Sequence, residues 1–77
     1  MSTVRLALLT SIEAAPGRTA HELADELGWE PRYTRKHLDK ARLRGLVTRQ
    51  STAYWLTRSG QSRLDFVREN GLVEDFS

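Results

Sequence analysis

Along the first fifteen positions Val4, Leu8, Ile12 and Ala15 recur at helical spacing, which predicts a helix over 4–15 with Thr3 as its capping residue. Pro16-Gly17 breaks it. The next four residues, Thr19-Ala20-His21-Glu22, have the spacing of a capping box, in which a hydroxyl and a carboxylate each satisfy a free backbone N–H. Ala20, Leu23, Ala24 and Leu27 then form a short apolar face, and Gly28 supplies the left-handed residue that ends the helix. Pro31 opens a third helix predicted over 31–44, about 20 Å long at the helical rise. Only Thr34, Leu38 and Ala41 face inward on it, while Arg32, Tyr33, Arg35, Lys36, Asp39 and Lys40 occupy the outer arc. Leu46–Gln50 and Ala53–Thr57 read as two strands around a Ser51-Thr52 turn. Thr57 can cap a last helix over 58–69, with Gly60, Leu64 and Val67 on one face and Asn70-Gly71 closing it. The predicted fold class is mainly α with one small β-hairpin.

At 77 residues the chain is long enough for a single domain, with an expected core over 3–69 and an acidic tail over 70–77. There is no cysteine, hence no disulfide framework and no thiolate metal site. The apolar stretch 4–15 is interrupted by Arg5, Thr10, Ser11 and Glu13, too short and too polar for a signal peptide or membrane span, so a cytoplasmic protein with no membrane partner is expected. His21 and His37 stand without a carboxylate cluster, and no metal or other cofactor is expected. Nothing has the spacing of a nucleophile elbow or phosphate loop, so the expectation is not an enzyme.

Charge changes this picture more than composition does. The formal net charge is only +2, but residues 30–49 hold seven basic side chains against Glu30 and Asp39, a net of +5, leaving −3 for the remainder. One-signed charge concentrated on a helix with a thin buried stripe points to a polyanion.

The order helix, helix, turn, helix, hairpin, helix resembles the winged helix-turn-helix transcription regulators of the MarR and ArsR type. Two stretches carry the resemblance. Glu22–Gly28, Trp29–Leu38 and Arg44-Gly45-Leu46-Val47 are similar to the family's helix-turn-helix followed by the first wing strand. Tyr54–Gly60 looks like the return strand entering the final helix. The resemblance implies a double-stranded DNA-binding protein, a sequence-specific transcriptional regulator with helix 31–44 in the major groove and the 49–53 wing on the adjacent backbone or minor groove. Ala41 and Glu30 depart from the pattern, where the family often has a large aliphatic and a Ser or Thr. Ala41 implies a smaller core with room for Trp29, and Glu30 places a carboxylate where a phosphate-binding hydroxyl often stands. The long helices through which MarR proteins pair are lacking, so their dimer mode is not carried over.

Within that frame Arg32, Tyr33, Arg35 and Lys36 are candidates for base contact, since a guanidinium can grip guanine O6 and N7 with two parallel bonds. Lys40 and Arg49 are candidates for phosphate, with Gln50, Ser51 and Thr52 on the wing and Thr19 beside the second helix's free N–H groups. Arg42 and Arg44 lie near a helix C-terminus and are divided between the helix dipole and phosphate. Strand alternation turns Tyr54 and Leu56 inward and Trp55 outward, toward a partner or over an arginine stem. Leu6 and Phe66 fall away from their helices' buried faces and suit either a homodimer seam or, for Phe66, cover by Leu72, Val73 or Phe76. Two other functions stay open: a winged-helix protein-contact module, and a nonspecific DNA-binding accessory or replication protein.

Overall fold

The structure, a computed structural model, describes residues 1–71. The expected acidic tail beyond Gly71, and the cover proposed for Phe66 at Leu72, Val73 and Phe76, lie outside the described residues. Seven elements follow in order: α1 (Thr3–Ala14), β1 (Arg18–Thr19), α2 (Ala20–Leu27), α3 (Pro31–Leu43), β2 (Val47–Gln50), β3 (Ala53–Leu56) and α4 (Arg58–Asn70). The strands form one antiparallel sheet in the order β1-β3-β2.

Most boundaries follow the local signals. Thr19 accepts a hydrogen bond from the Glu22 N–H at 3.2 Å and its own N–H donates to Glu22 Oε1 at 2.9 Å, completing the capping box of α2. Gly28 ends that helix at φ 70°, a left-handed conformation that costs glycine nothing. Thr57 caps α4, and Gly71 closes it.

Sequence patterning misses three features. The cap of α1 is Ser2, whose hydroxyl accepts from the Arg5 N–H at 3.2 Å, so the helix begins at Thr3 itself and ends at Ala14. Leu6, half-buried, packs against the core, because α1 is surrounded by α2, α3, α4 and β3 and buries more than one line of side chains. The hairpin gains a third strand: Arg18 pairs with Tyr54 and Thr19 with Ala53, while Gly17 N–H donates to the Tyr54 carbonyl at 2.9 Å. Two residues after Pro-Gly carry no strand signature of their own. Their pairing is set by the partner strand.

The core is small and continuous. Leu8, Leu9, Ile12, Leu23, Leu38, Ala41, Val47, Tyr54 and Leu64 are buried together, with Trp29, Leu46 and Leu56 packed at its margin. Trp29 therefore contributes where Ala41 leaves little volume. Trp55 lies on the opposite face of β3, but its ring covers the Gly17 turn: a Cβ at Gly17 would stand 3.2 Å from Trp55 Cζ2. Trp55 thus has a packing role within the chain beside the partner or arginine-stem contact expected of it.

One junction joins the helices to the sheet. Thr57 N–H donates to the Leu46 carbonyl at 3.0 Å, the Thr57 hydroxyl donates to the Gly45 carbonyl at 2.6 Å, and Gly60 N–H donates back to the Thr57 hydroxyl oxygen at 2.9 Å. Gly60 is buried against the same turn, and a Cβ there would overlap the Leu46 carbonyl oxygen. Along α4, Gln61 in the first turn donates to Glu13 Oε2 at 2.7 Å and Arg68 in the last turn pairs with Glu13 at 2.8 Å, orienting α4 on α1.

Two substitutions test this packing. Gly60→Ala is expected to lower stability by about 1–3 kcal/mol, seen as a lower urea midpoint with unchanged slope, because backbone must move. Ser11→Ala is expected to leave stability unchanged or raise it, since the Ser11 hydroxyl is buried with no hydrogen-bond partner; a clear loss in thermal unfolding would contradict this.

Candidate nucleic-acid interface

Helix α3 divides its side chains among three directions. Thr34, Leu38 and Ala41 are buried. At about 100° per residue, Arg32 and Lys36 project farthest from that stripe, Arg35 turns to one flank and Tyr33 to the other. Arg32, Tyr33, Arg35, Lys36 and Lys40 are all exposed. Pro31 occupies the first turn and Glu30 precedes it without a side-chain cap, so the α3 start is held by backbone and by the Thr34 hydroxyl, which donates to the Glu30 carbonyl at 3.0 Å.

The Tyr33 flank is an aromatic run. Trp29 meets Tyr33 edge-on with ring centroids 5.4 Å apart, and Tyr33 lies 4.5 Å from the His37 ring. Tyr33 is thus held in place at 40% exposure and not free to search for a contact. His37, half-buried on this side, is pushed below the ordinary histidine value, first by burial and then by the charges of Lys40, Lys36 and Arg5. Arg44 belongs to this side as well: it faces Arg5, whose guanidinium is lowered by burial first and by Arg44 and Arg63 second. Arg42 pairs with Asp39 at 3.7 Å. Neither Arg42 nor Arg44 lines the cleft that Arg35 shares with the wing.

The Arg35 flank faces the wing. A cleft of about 330 Å³ there is lined by Thr19, Ala20, His21, Arg35, Arg49, Thr52 and Tyr54, drawing four expected site residues from three separate segments. Strand alternation is the reason Arg49 enters it. Arg49 sits opposite Tyr54 in the β2–β3 register and so shares the sheet face turned toward the helices. Gln50 sits opposite Ala53 and is exposed on the other face. Ser51 turns the wing at φ 59°, a left-handed conformation that side chains rarely adopt.

The N-terminus of α2 is less open than the sequence suggests. The Thr19 N–H is already given to Glu22, and Ala20 is buried. Glu22 is held below the usual carboxylate range chiefly by the Thr19 backbone N–H, so its negative charge persists beside the cleft. The Thr19 hydroxyl accepts the Glu22 N–H and keeps its own proton available to donate outward.

Sequence reasoning left two exposed residues without a role. His21 had no assigned partner and stands in the cleft lining. Leu43 is 88% exposed, the most exposed large apolar residue described, at the end of α3. Its signal was the helical spacing that sets 32, 36 and 43 on one outward ridge. A second groove, about 640 Å³, runs beside it between α3 and β2 and is lined by Asp39, Arg42, Leu43, Val47, Thr48 and Arg49. Phe66 is 52% exposed on α4. Among the described residues no group of three or more His, Cys, Asp or Glu could hold a metal ion, and no helix is long and apolar enough to cross a membrane.

These elements and their order define a winged helix-turn-helix domain. No protein-family profile matches the chain, and no curated protein matches it by sequence. Solved structures do. A MarR family transcription regulator superposes with a TM-score of 0.85 at 25% identity, over 94% of this chain and 52% of the other. A MarR/EmrR family transcriptional regulator from Acinetobacter sp. ADP1 gives 0.80 at 14% identity, over 90% and 52%. The transcriptional repressor CouR, solved with p-coumaroyl-CoA, gives 0.75 at 30% identity, over 83% and 48%. The chain folds as a MarR-type winged-helix domain and spans about half the length of these regulators. The solved neighbours are transcription regulators, not enzymes.

The electrostatics of the aromatic flank can be checked by NMR titration. The His37 midpoint is expected below the ordinary histidine value, to fall further at low salt, and to rise in Arg5→Gln as one repelling charge is removed. Because folding depresses this value, stability should decline as pH falls from the ordinary histidine range through the folded midpoint.

Proposed function

We propose that this domain binds double-stranded DNA as the sequence-reading part of a transcription regulator. The observation that carries this is the net positive charge of residues 30–49, five of whose seven cations stand on the helix that a winged helix-turn-helix presents to the major groove. Arg32 and Lys36, on the outward ridge, are placed to reach base edges, where a guanidinium fork discriminates guanine by roughly 1–3 kcal/mol. Tyr33 offers a fixed hydroxyl for a phosphate oxygen, and Lys40 a charge one turn farther along the groove. On the wing, Ser51, Thr52 and Gln50 are exposed and meet the backbone or the minor groove.

Bulk attraction and sequence readout separate by experiment. With about five phosphates neutralised, affinity for a duplex is expected to fall on the order of 10² to 10³ fold between 50 and 200 mM salt. A binding constant independent of salt would sink this function. Selection from a random duplex pool is expected to return a defined site, whereas equal recovery of unrelated duplexes would mark a nonspecific binder. Two half-sites about 34 Å apart would indicate a pair of copies reading an inverted repeat, and one half-site a monomer.

A further inference from the structure

We infer that the cleft between α3 and the wing seats a single phosphodiester of the duplex backbone, with Arg35 and Arg49 as its two cationic ligands and His21 at its edge. This rests on the DNA-binding function proposed above and specifies one contact within it. It also gives Arg35 a role other than the base contact that its place on the recognition helix suggests.

The two guanidiniums reach the cleft from different elements. Arg35 leaves α3 on the flank toward the wing, and Arg49 leaves β2 on the sheet face shared with Tyr54. Neither is neutralised: the ion pairs among the described residues use Arg18, Arg42 and Arg68, and no carboxylate lines the cleft. Two like charges in one cleft with no carboxylate in its lining repel each other, and an anion between them reverses the sign of that interaction. Glu22, the nearest carboxylate in sequence, is tethered to the Thr19 N–H.

The remaining lining suits an oxyanion better than a base. The Thr19 hydroxyl has its proton free after capping, Thr52 adds a second hydroxyl, and His21 adds a ring nitrogen. Donors drawn from three segments of the chain suit a tetrahedral phosphate, whereas a base edge in the groove is planar and is gripped by one fork. Position agrees with chemistry. When a recognition helix lies in the major groove and a wing lies beside the minor groove, the sugar-phosphate strand that separates the grooves passes between them. That is where this cleft is.

The test uses the full chain and the duplex recovered by selection, carrying one uncharged methylphosphonate at a time in place of a phosphate. At one position the neutral linkage is expected to weaken the wild-type chain about tenfold, and Arg35→Ala and Arg49→Ala each to be weakened less than twofold by that same linkage. Selection with Arg35→Ala should return the wild-type site. Circular dichroism and the melting temperature of both exposed-site variants should match the wild type, which confirms that they fold. If both variants stay as sensitive as wild type to every neutral linkage, or if Arg35→Ala selects a different site, the phosphate seat is wrong while DNA binding stands. A wild-type chain that binds no duplex overturns both.

Discussion

The close approach of Gly60 to the Leu46 carbonyl, fastened by the two hydrogen bonds from Thr57, is the constraint on which the working surface depends. It ties the end of α3, the start of β2 and the start of α4 to one point. Strand β2 must leave α3 in one direction, and β3 must return to the same place. The wing is thereby fixed relative to the recognition helix by backbone contacts, which do not depend on flexible side chains. A residue with a Cβ at position 60 would separate these elements and change the angle at which Arg49 faces Arg35.

A second consequence follows from the thinness of the α3 stripe. Three buried residues, one of them Thr34 and another Ala41, give this helix little hydrophobic anchorage of its own. Trp29 from the preceding turn and the α2 face supply the rest. The arrangement leaves most of the surface of α3 for polar groups, and electrostatic repulsion among them is tolerated because they lie in water and spread over two flanks. On the Tyr33 flank, Arg44 and Arg63 bring like charge to Arg5 near the start of α1. On the wing flank, Arg35 and Arg49 face a common cleft. The two sets differ in what surrounds them: aromatic and half-buried groups on one side, free hydroxyls on the other.

The helices were largely legible in the chain because each carries its own punctuation. Thr19 with Glu22, Gly28, Pro31, Thr57 and Gly71 are short-range signals whose partners lie within a few residues. The buried triads of α3 and α4 follow from helical periodicity alone. The α1 helix was read less well, since a helix enclosed on several sides shows no single apolar stripe and Leu6 therefore looked unpartnered. Strand β1 was invisible for a related reason. Arg18 and Thr19 are strand only because Tyr54 and Ala53 lie beside them.

By itself, the sequence determined the four helices and the two wing strands, the concentration of positive charge on the third helix and the order of elements that resembles a winged helix-turn-helix. These properties are local or additive, so neighbouring residues suffice to specify them. Which cations act together was decided only by the tertiary structure. Arg35 and Arg49 are fourteen positions apart in sequence, yet they face one cleft because the Thr57–Gly60 junction sets the wing and strand alternation sets the face. Arg42, two helical turns beyond Arg35 on the same flank, pairs with Asp39 and lines the second groove, whereas Arg44, just past the helix, lends its charge to the surroundings of Arg5. Proximity in sequence gives a charge density, whereas convergence on a ligand requires the backbone geometry that only long-range packing provides.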